Sequence, residues 1–91
     1  MKIEWRELSS DDLLCIVSYI AQDNPAAAYD VDAKIHQQVA LLSSQPEIGR
    51  PGRIKGQKEL VLIGLPYIVP YRIIGEVVEI LRVFHTAQER K

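Results

Sequence analysis

Two periodicities divide the chain. From Lys2 to Arg6, Ile3 and Trp5 alternate with charged residues, which predicts a short strand with one buried face. Leu13, Ile16, Val17 and Ile20 then recur at helical spacing and predict a first helix of about three turns. Ser9 or Ser10 suits its N-cap, and Asp11 and Asp12 suit its positive end. Asn24-Pro25 both ends this helix and starts the next, because Pro is well placed at the first helical position. Ala28, Val31, Ile35, Val39 and Leu42 form one apolar stripe along a second helix of roughly four to five turns. Two helices with so tight a link predict an αα-hairpin.

Between Ser43 and Gln57 the periodicity stops, since Pro46, Gly49, Pro51, Gly52 and Gly56 cannot share one regular element. A long loop is expected there, of the kind that is either functional or disordered. Lys58 to Ile63 predicts a strand and Gly64-Leu65-Pro66 a turn. Tyr67 to Ile74 and Val77 to Phe84, rich in β-branched and aromatic residues, predict two strands joined by Gly75-Glu76. Gly at the first central position fits a type II′ turn. Pro70 removes a donor from its strand and so marks an edge or a bulge. The order is β-α-α-β-β-β, and the fold class is α+β, a helical hairpin packed on a small, mainly antiparallel sheet.

That turn sets a register in which Ile74 faces Val77 and Arg72 faces Glu79. Strict alternation then puts Ile68, Arg72, Ile74, Val77, Glu79, Leu81, Val83 and His85 on one side. Tyr67, Val69, Tyr71, Ile73, Val78, Ile80, Arg82 and Phe84 take the other. Both sides are substantially apolar, and the pattern leaves open which is the core; a slip of one residue would exchange them.

A length of 91 residues fits one domain, residues 1–91, without a second core. At 47% apolar and 25% charged, the chain is too apolar for intrinsic disorder. Its longest apolar run, Leu60 to Ile74, is broken by Gly64, Pro66 and Pro70 and contains Arg72, short of the ~20 residues a spanning helix needs. Acids occupy the N-terminus where a signal peptide needs an apolar stretch. Cys15 has no internal disulfide partner, and no Cys/His cluster has metal-ligand spacing. A small soluble, cytoplasmic protein is expected, with no membrane, metal or cofactor.

The formal charge of −1 conceals an asymmetry. Residues 1–49 hold three bases against eight acids, and residues 50–91 hold eight bases against four acids. Arg50, Arg53, Lys55 and Lys58 cluster within nine residues, which suggests a polyanion partner. Arg72 opposite Glu79 reads as a cross-strand ion pair. Arg82, on an apolar strand, must reach solvent, a carboxylate or a phosphate. His85 stands at a strand end, where a lone His is more often structural but is also the side chain best suited to proton transfer near neutrality. His36 reads as plain surface and Cys15 as a small apolar residue. Trp5, Tyr19 and Tyr29 suit core or helix packing, while Tyr67 and Tyr71 could pack or stack on a base.

Three stretches together carry a resemblance. The first is Tyr19-Ile20-Ala21-Gln22-Asp23-Asn24-Pro25-Ala26-Ala27-Ala28. The second is Pro46-Glu47-Ile48-Gly49-Arg50-Pro51-Gly52-Arg53, followed by Lys58-Glu59-Leu60-Val61. The third is Tyr67-Ile68-Val69-Pro70-Tyr71-Arg72-Ile73, followed by Val78 to Gln88. In this order they resemble the RelE/ParE superfamily of toxins from bacterial type II toxin–antitoxin modules, the RelE/StbE-like branch foremost, over essentially the whole chain.

The resemblance implies a toxin neutralised by a cognate antitoxin. Members that look like RelE cleave messenger RNA on the ribosome without a metal, by attack of a ribose 2′-OH on the adjacent phosphate. On that reading His85, Arg82 and Arg53 are catalytic, with His85 moving the proton and the arginines placing charge on the transition state. Arg50, Lys55, Lys58 and Arg72 hold RNA phosphates, and Tyr67 or Tyr71 stacks on a base. Glu79 is a second acid/base candidate, set against its pairing with Arg72. The chain departs from that pattern in being slightly acidic and in carrying only Lys55 and Lys58 where some members have a Lys-rich cluster.

Members that resemble ParE instead bind and inhibit DNA gyrase with no nuclease site, which makes the basic loop and the C-terminal residues a protein-binding surface. A third class is an inactive homologue that binds only antitoxin. The expectation ranks the ribosome-dependent mRNA endonuclease first, the gyrase inhibitor second and the inert binder third. Antitoxin is expected on the outer side of the αα-hairpin and on an open sheet edge. Operator DNA is reached only through the antitoxin, and no cofactor is implied.

Overall fold

The structure is a computed structural model that describes residues 1–88. It begins with strand β1 (Lys2–Trp5), and Arg6 N–H continues that ladder to the Ile80 carbonyl at 3.0 Å. Helix α1 (Glu7–Ala21) starts on the very next residue, so it begins before the expected Ser9 or Ser10 cap and is correspondingly longer. Arg6 is the N-cap, with no side-chain cap bond, and the fully buried Ser9 hydroxyl donates back to the Arg6 carbonyl at 2.7 Å. Helix α2 (Pro25–Ala40) is capped as expected: Pro25 opens it, and Asn24 Oδ1 accepts from Ala27 N–H at 3.0 Å. A 3₁₀ turn, Leu41–Ser43, follows. The apolar stripe is realised in Ala28, Ile35 and Val39 of α2 and in Leu42 of the 3₁₀ turn, all buried.

The remaining strands are β2 (Arg50–Pro51), β3 (Lys58–Val61), β4 (Tyr67–Ile74), β5 (Val77–Ile80) and β6 (Phe84–His85), before a 3₁₀ turn at Thr86–Gln88. They form one sheet in the order β1-β5-β4-β3-β2, with β6 beside β4; β1 runs parallel to β5 and every other pairing is antiparallel. The hairpin register is the one its turn dictates, with Ile74 facing Val77 and Arg72 facing Glu79. Gly75 has φ +58°, and Glu76 has no positive φ, which agrees with a type II′ turn and excludes type I′.

Alternation breaks at Pro70. Between the pairs Tyr71–Ile80 and Ile68–Phe84, two residues of β4 face three residues, Leu81, Arg82 and Val83. This is a β-bulge in the middle of the sheet, so Pro70 marks a bulge and not an edge. The Pro70 carbonyl accepts from Leu81 N–H at 2.9 Å, so its donorless nitrogen faces the bulge and costs the β3 ladder nothing. The extra residue reverses the faces beyond it. Val83 joins the buried side and His85 lies opposite Tyr67, whereas Phe84 lies opposite Ile68, which corrects the strict alternation at these positions.

The core face is the one carrying Tyr67, Val69, Tyr71, Val78 and Ile80, and Leu13, Ile35, Val39 and Leu42 pack onto it. Trp5 packs against this core, but Tyr19 and Tyr29, expected there, are 73% and 79% exposed. The segment expected to be one long loop contains a hairpin. Arg50 pairs with Glu59 and Pro51 with Lys58, and Gly52 N–H closes the tip onto the Gln57 carbonyl at 2.9 Å. Strand β3 ends at Val61, two residues earlier than expected. The Gln38 side chain replaces a neighbouring strand at Ile63, donating to its carbonyl at 2.9 Å and accepting from its N–H at 2.7 Å.

Candidate functional site

The sheet face away from the helical packing carries a hollow. A groove of about 560 Å³ runs between the N-terminal turn of α1 and the tip of the β2–β3 hairpin. Pro70, Leu81 and Phe84 line its floor; Arg6, Leu8 and Arg82 stand on the α1 side, and Arg53, Ile54 and Gln57 on the hairpin side. The bulge builds this floor, because it delivers Leu81 and Arg82 beside Pro70 where a regular strand would have continued the ladder.

Four arginines on or beside this face meet carboxylates. Arg82 makes a two-point ion pair with Asp12, Nε to Oδ2 at 2.8 Å and Nη2 to Oδ1 at 3.0 Å, and Val83 N–H also donates to Asp12 Oδ2 at 2.9 Å. These hydrogen bonds raise the Arg82 pKa above that of an ordinary guanidinium. Arg50 donates to Glu59 Oε1 through Nε at 3.0 Å and lies 2.9 Å from it through Nη2; Glu59 is only 7% exposed. Arg72 donates to Glu79 Oε1 at 2.7 Å, the expected cross-strand pair, and Arg6 reaches Glu79 Oε2 at 3.4 Å. Lys58 falls on the other side of the hairpin, opposite Tyr71, and points to the Gly49 carbonyl and Glu47, each at 3.4 Å. Lys55 lies on the exposed tip beside Gly56.

His85 belongs to a different groove, of about 550 Å³, formed with Cys15, Ile16, Tyr19, Tyr67 and Val83. The Asp12–Arg82 pair divides the two hollows: Arg82 borders the first, Asp12 the second, and Phe84 both. His85 Nδ1 accepts from Ala87 N–H at 3.0 Å, which assigns the proton of the neutral ring to Nε2. Its ring stands edge-on to Tyr67, with centroids 5.5 Å apart. Tyr67 is buried, and burial pushes its phenol pKa up. Tyr71 is wholly buried: its hydroxyl donates to the Pro46 carbonyl at 2.7 Å and accepts from Gly49 N–H at 2.9 Å. Burial is the largest cause of its raised pKa as well. A stacking platform needs an open ring face, and Tyr71 has none.

The structure therefore brings Arg53 and Arg82 to one groove, with Arg50 and Arg72 on the same sheet face. It takes His85 to a second groove, Lys58 to the opposite side and Tyr71 into the core. Sequence reasoning missed Asp12, Glu59, Leu8 and Ile54 as parts of this face. The only signal was that Arg82 required a partner, which lies 70 positions away. His36, by contrast, is exposed as expected, beside Trp5 and Asp32. Among the described residues no group of His, Cys, Asp or Glu is arranged to hold a metal ion, and no helix is long and apolar enough to cross a membrane.

Residues 3–90 match the family model described as the ParE toxin of the type II toxin–antitoxin system parDE. The protein named "Putative toxin Y4kP" of Sinorhizobium fredii is 47% identical over 88 residues, covering 97% of this chain and 91% of its own. Toxin RelE2 of Caulobacter vibrioides is 33% identical over 84 residues, covering 92% and 91%. Among solved structures, the chromosomal ParDE system of P. aeruginosa superposes with a TM-score of 0.85 at 27% identity, over 93% of this chain and 95% of that one. The intact E. coli RelBE complex gives 0.66 at 15% identity over 98% of each chain, a likeness of fold alone.

Proposed function

Since the chain belongs to the ParE toxin family of type II toxin–antitoxin systems, we propose that its toxicity comes from gripping a protein, DNA gyrase, and not from cutting messenger RNA. It is the toxin of such a module, and its structural neighbours come from toxin–antitoxin systems, which supports an antitoxin as its partner. One observation carries the choice of target: the side chains that RNA cleavage would need do not converge. Attack by a 2′-OH requires a base, an acid and positive charge within hydrogen-bond reach of one phosphate. His85 opens into one groove and Arg53 into another, with the Asp12–Arg82 pair between them. Arg50 and Arg72 are each committed to a carboxylate.

This reading makes the first groove a protein-binding surface and gives His85 no proton to move. It places the action in the cytoplasm, where gyrase and chromosome meet. The test compares two reactions of the antitoxin-free protein. One follows supercoiling by purified gyrase, and the other maps message ends by primer extension in a translating extract. The expected outcome is lost supercoiling with intact message. Codon-phased, ribosome-dependent cuts with supercoiling untouched would overturn the proposal and restore the nuclease.

A further inference from the structure

We infer that the groove between α1 and the β2–β3 tip is the surface that holds the toxin's target, and that it accepts an acidic segment of a protein carrying large aliphatic or phenylalanine side chains. This rests on the reading of a protein target given above and adds where and by what chemistry that target is held. Leu8 is 56% exposed and Ile54 61% exposed, and the two stand on opposite lips of the groove. Between them lie Pro70 and Phe84, so an apolar floor has apolar lips that nothing in the described chain covers. Large side chains left open around a concave surface mark an interaction site.

Charge selects the kind of guest. Arg6 and Arg82 border the groove on one side and Arg53 on the other. Arg82 spends two of its five N–H groups on Asp12 and keeps three to offer a carboxylate. A basic rim around an apolar floor is the complement of an acidic amphipathic segment. RNA fits less well. The floor is aliphatic except for Phe84, and Tyr71, the candidate base-stacking ring, is buried in the core. Glu7 and Glu59 also line the groove. A peptide can set its carboxylates at the arginines and turn apolar side chains towards those acids. A nucleic acid strand brings a phosphate at every nucleotide and cannot.

The test uses the full chain with Leu8→Ser plus Ile54→Ser, with Arg53→Glu, and with Arg53→Lys as the conservative control. Growth arrest on induction reports on any target. Supercoiling by purified gyrase, primer extension on message, calorimetric affinity for the cognate antitoxin and thermal melting complete the set. The double serine variant and Arg53→Glu are expected to lose at least about tenfold in toxic potency, and Arg53→Lys, which keeps the charge, should lose less than Arg53→Glu. Antitoxin affinity and melting temperature should remain near those of the parent chain. Folded variants that arrest growth as the parent does would overturn the inference. So would a parallel loss of antitoxin binding, which gives the groove to the antitoxin, or the loss of message cuts made by the parent chain, which gives it to RNA. A parent chain that arrests growth but spares gyrase overturns the gyrase reading alone, and the growth arm still decides the groove. A parent chain that arrests nothing overturns both.

Discussion

Tyr71→Phe separates an anchoring role for this residue from a ligand-stacking one. Phenylalanine keeps the ring and removes only the hydroxyl, so any stacking would survive while the hydrogen bonds would not. In the native chain that hydroxyl, wholly buried, joins the Gly49 N–H at 2.9 Å and the Pro46 carbonyl at 2.7 Å, and so ties the segment before β2 to the centre of β4. Removing it strands the buried Gly49 N–H and the half-buried Pro46 carbonyl, the first costing about 1–3 kcal/mol and the second about 1 kcal/mol. Together these give a loss of about 2–4 kcal/mol. In a domain of this size each kcal/mol moves the melting temperature by about 4–8 °C, so a drop of at least about 8 °C is expected. The assay is a pair of urea melts at constant m-value, checked by thermal unfolding. Toxic potency per folded molecule should be unchanged. A melting temperature within about 2 °C of the parent chain would refute the anchoring argument, and a loss of potency without loss of stability would restore a role in ligand contact.

Gly49→Ala should destabilise the same junction by about 1–3 kcal/mol, since an added Cβ would lie 2.6 Å from the Tyr71 ring and hydroxyl and 2.9 Å from the Glu59 carbonyl. Combined with Tyr71→Phe its urea-melt cost should be less than additive, because one clash partner has gone. Asp12→Asn should cost about 1–2 kcal/mol in urea melts, a modest figure because the Arg82 side chain is half exposed. A double-mutant cycle with Arg82→Gln should show coupling of about 0.5–1 kcal/mol, and a coupling near zero would remove the pair from the bulge's support. Alkaline stability follows from the two buried phenols, both raised above the ordinary value of 10.0. A pKa higher in the folded than in the unfolded chain gives stability that is full below about pH 10 and lost as pH rises through the folded values. Thermal melts should therefore fall off above that pH, and Tyr71→Phe should flatten the decline.

The elements legible in the sequence were those fixed by local chemistry. Asn24-Pro25 set the helix junction, the stripe from Ala28 to Leu42 set the buried side of α2, and Gly75-Glu76 set the register that brings Arg72 to Glu79. Pro70 announced an edge or a bulge without saying which, or that everything beyond it would change face, because a bulge is defined by the count on two strands and not by one residue. Strand β2 was invisible for a related reason. Two residues between Pro46, Gly49 and Gly52 carry no period, and only pairing with Glu59 and Lys58 makes them a strand. The start of α1 was displaced by tertiary structure, since Arg6 is held by the Ile80 carbonyl and the helix begins where that ladder stops. For the site, the arginines could be named in advance but their partners could not, since Asp12 and Arg82 meet only through the fold.

Those partners also change what the charge asymmetry means. Counted along the chain, an acidic first half and a basic second half suggest a surface built for a polyanion. In space the topology folds one half onto the other. Asp12 of α1 meets Arg82 of the bulge, and Arg6, which follows β1, joins Arg72 at Glu79, while Glu59 takes Arg50 within the hairpin. Three carboxylates thus meet four arginines on or beside this face, which lowers the field that a phosphate chain would feel. What survives is an apolar hollow with a few directed donors at its rim. Such a surface discriminates by shape and by the placement of individual carboxylates, so its binding should weaken modestly as ionic strength rises. A surface working by counterion release from nucleic acid would lose orders of magnitude over the same salt range. On the proposed reading, the ion pairs that draw arginines away from an RNA phosphate are the same ones that leave directed donors for a protein.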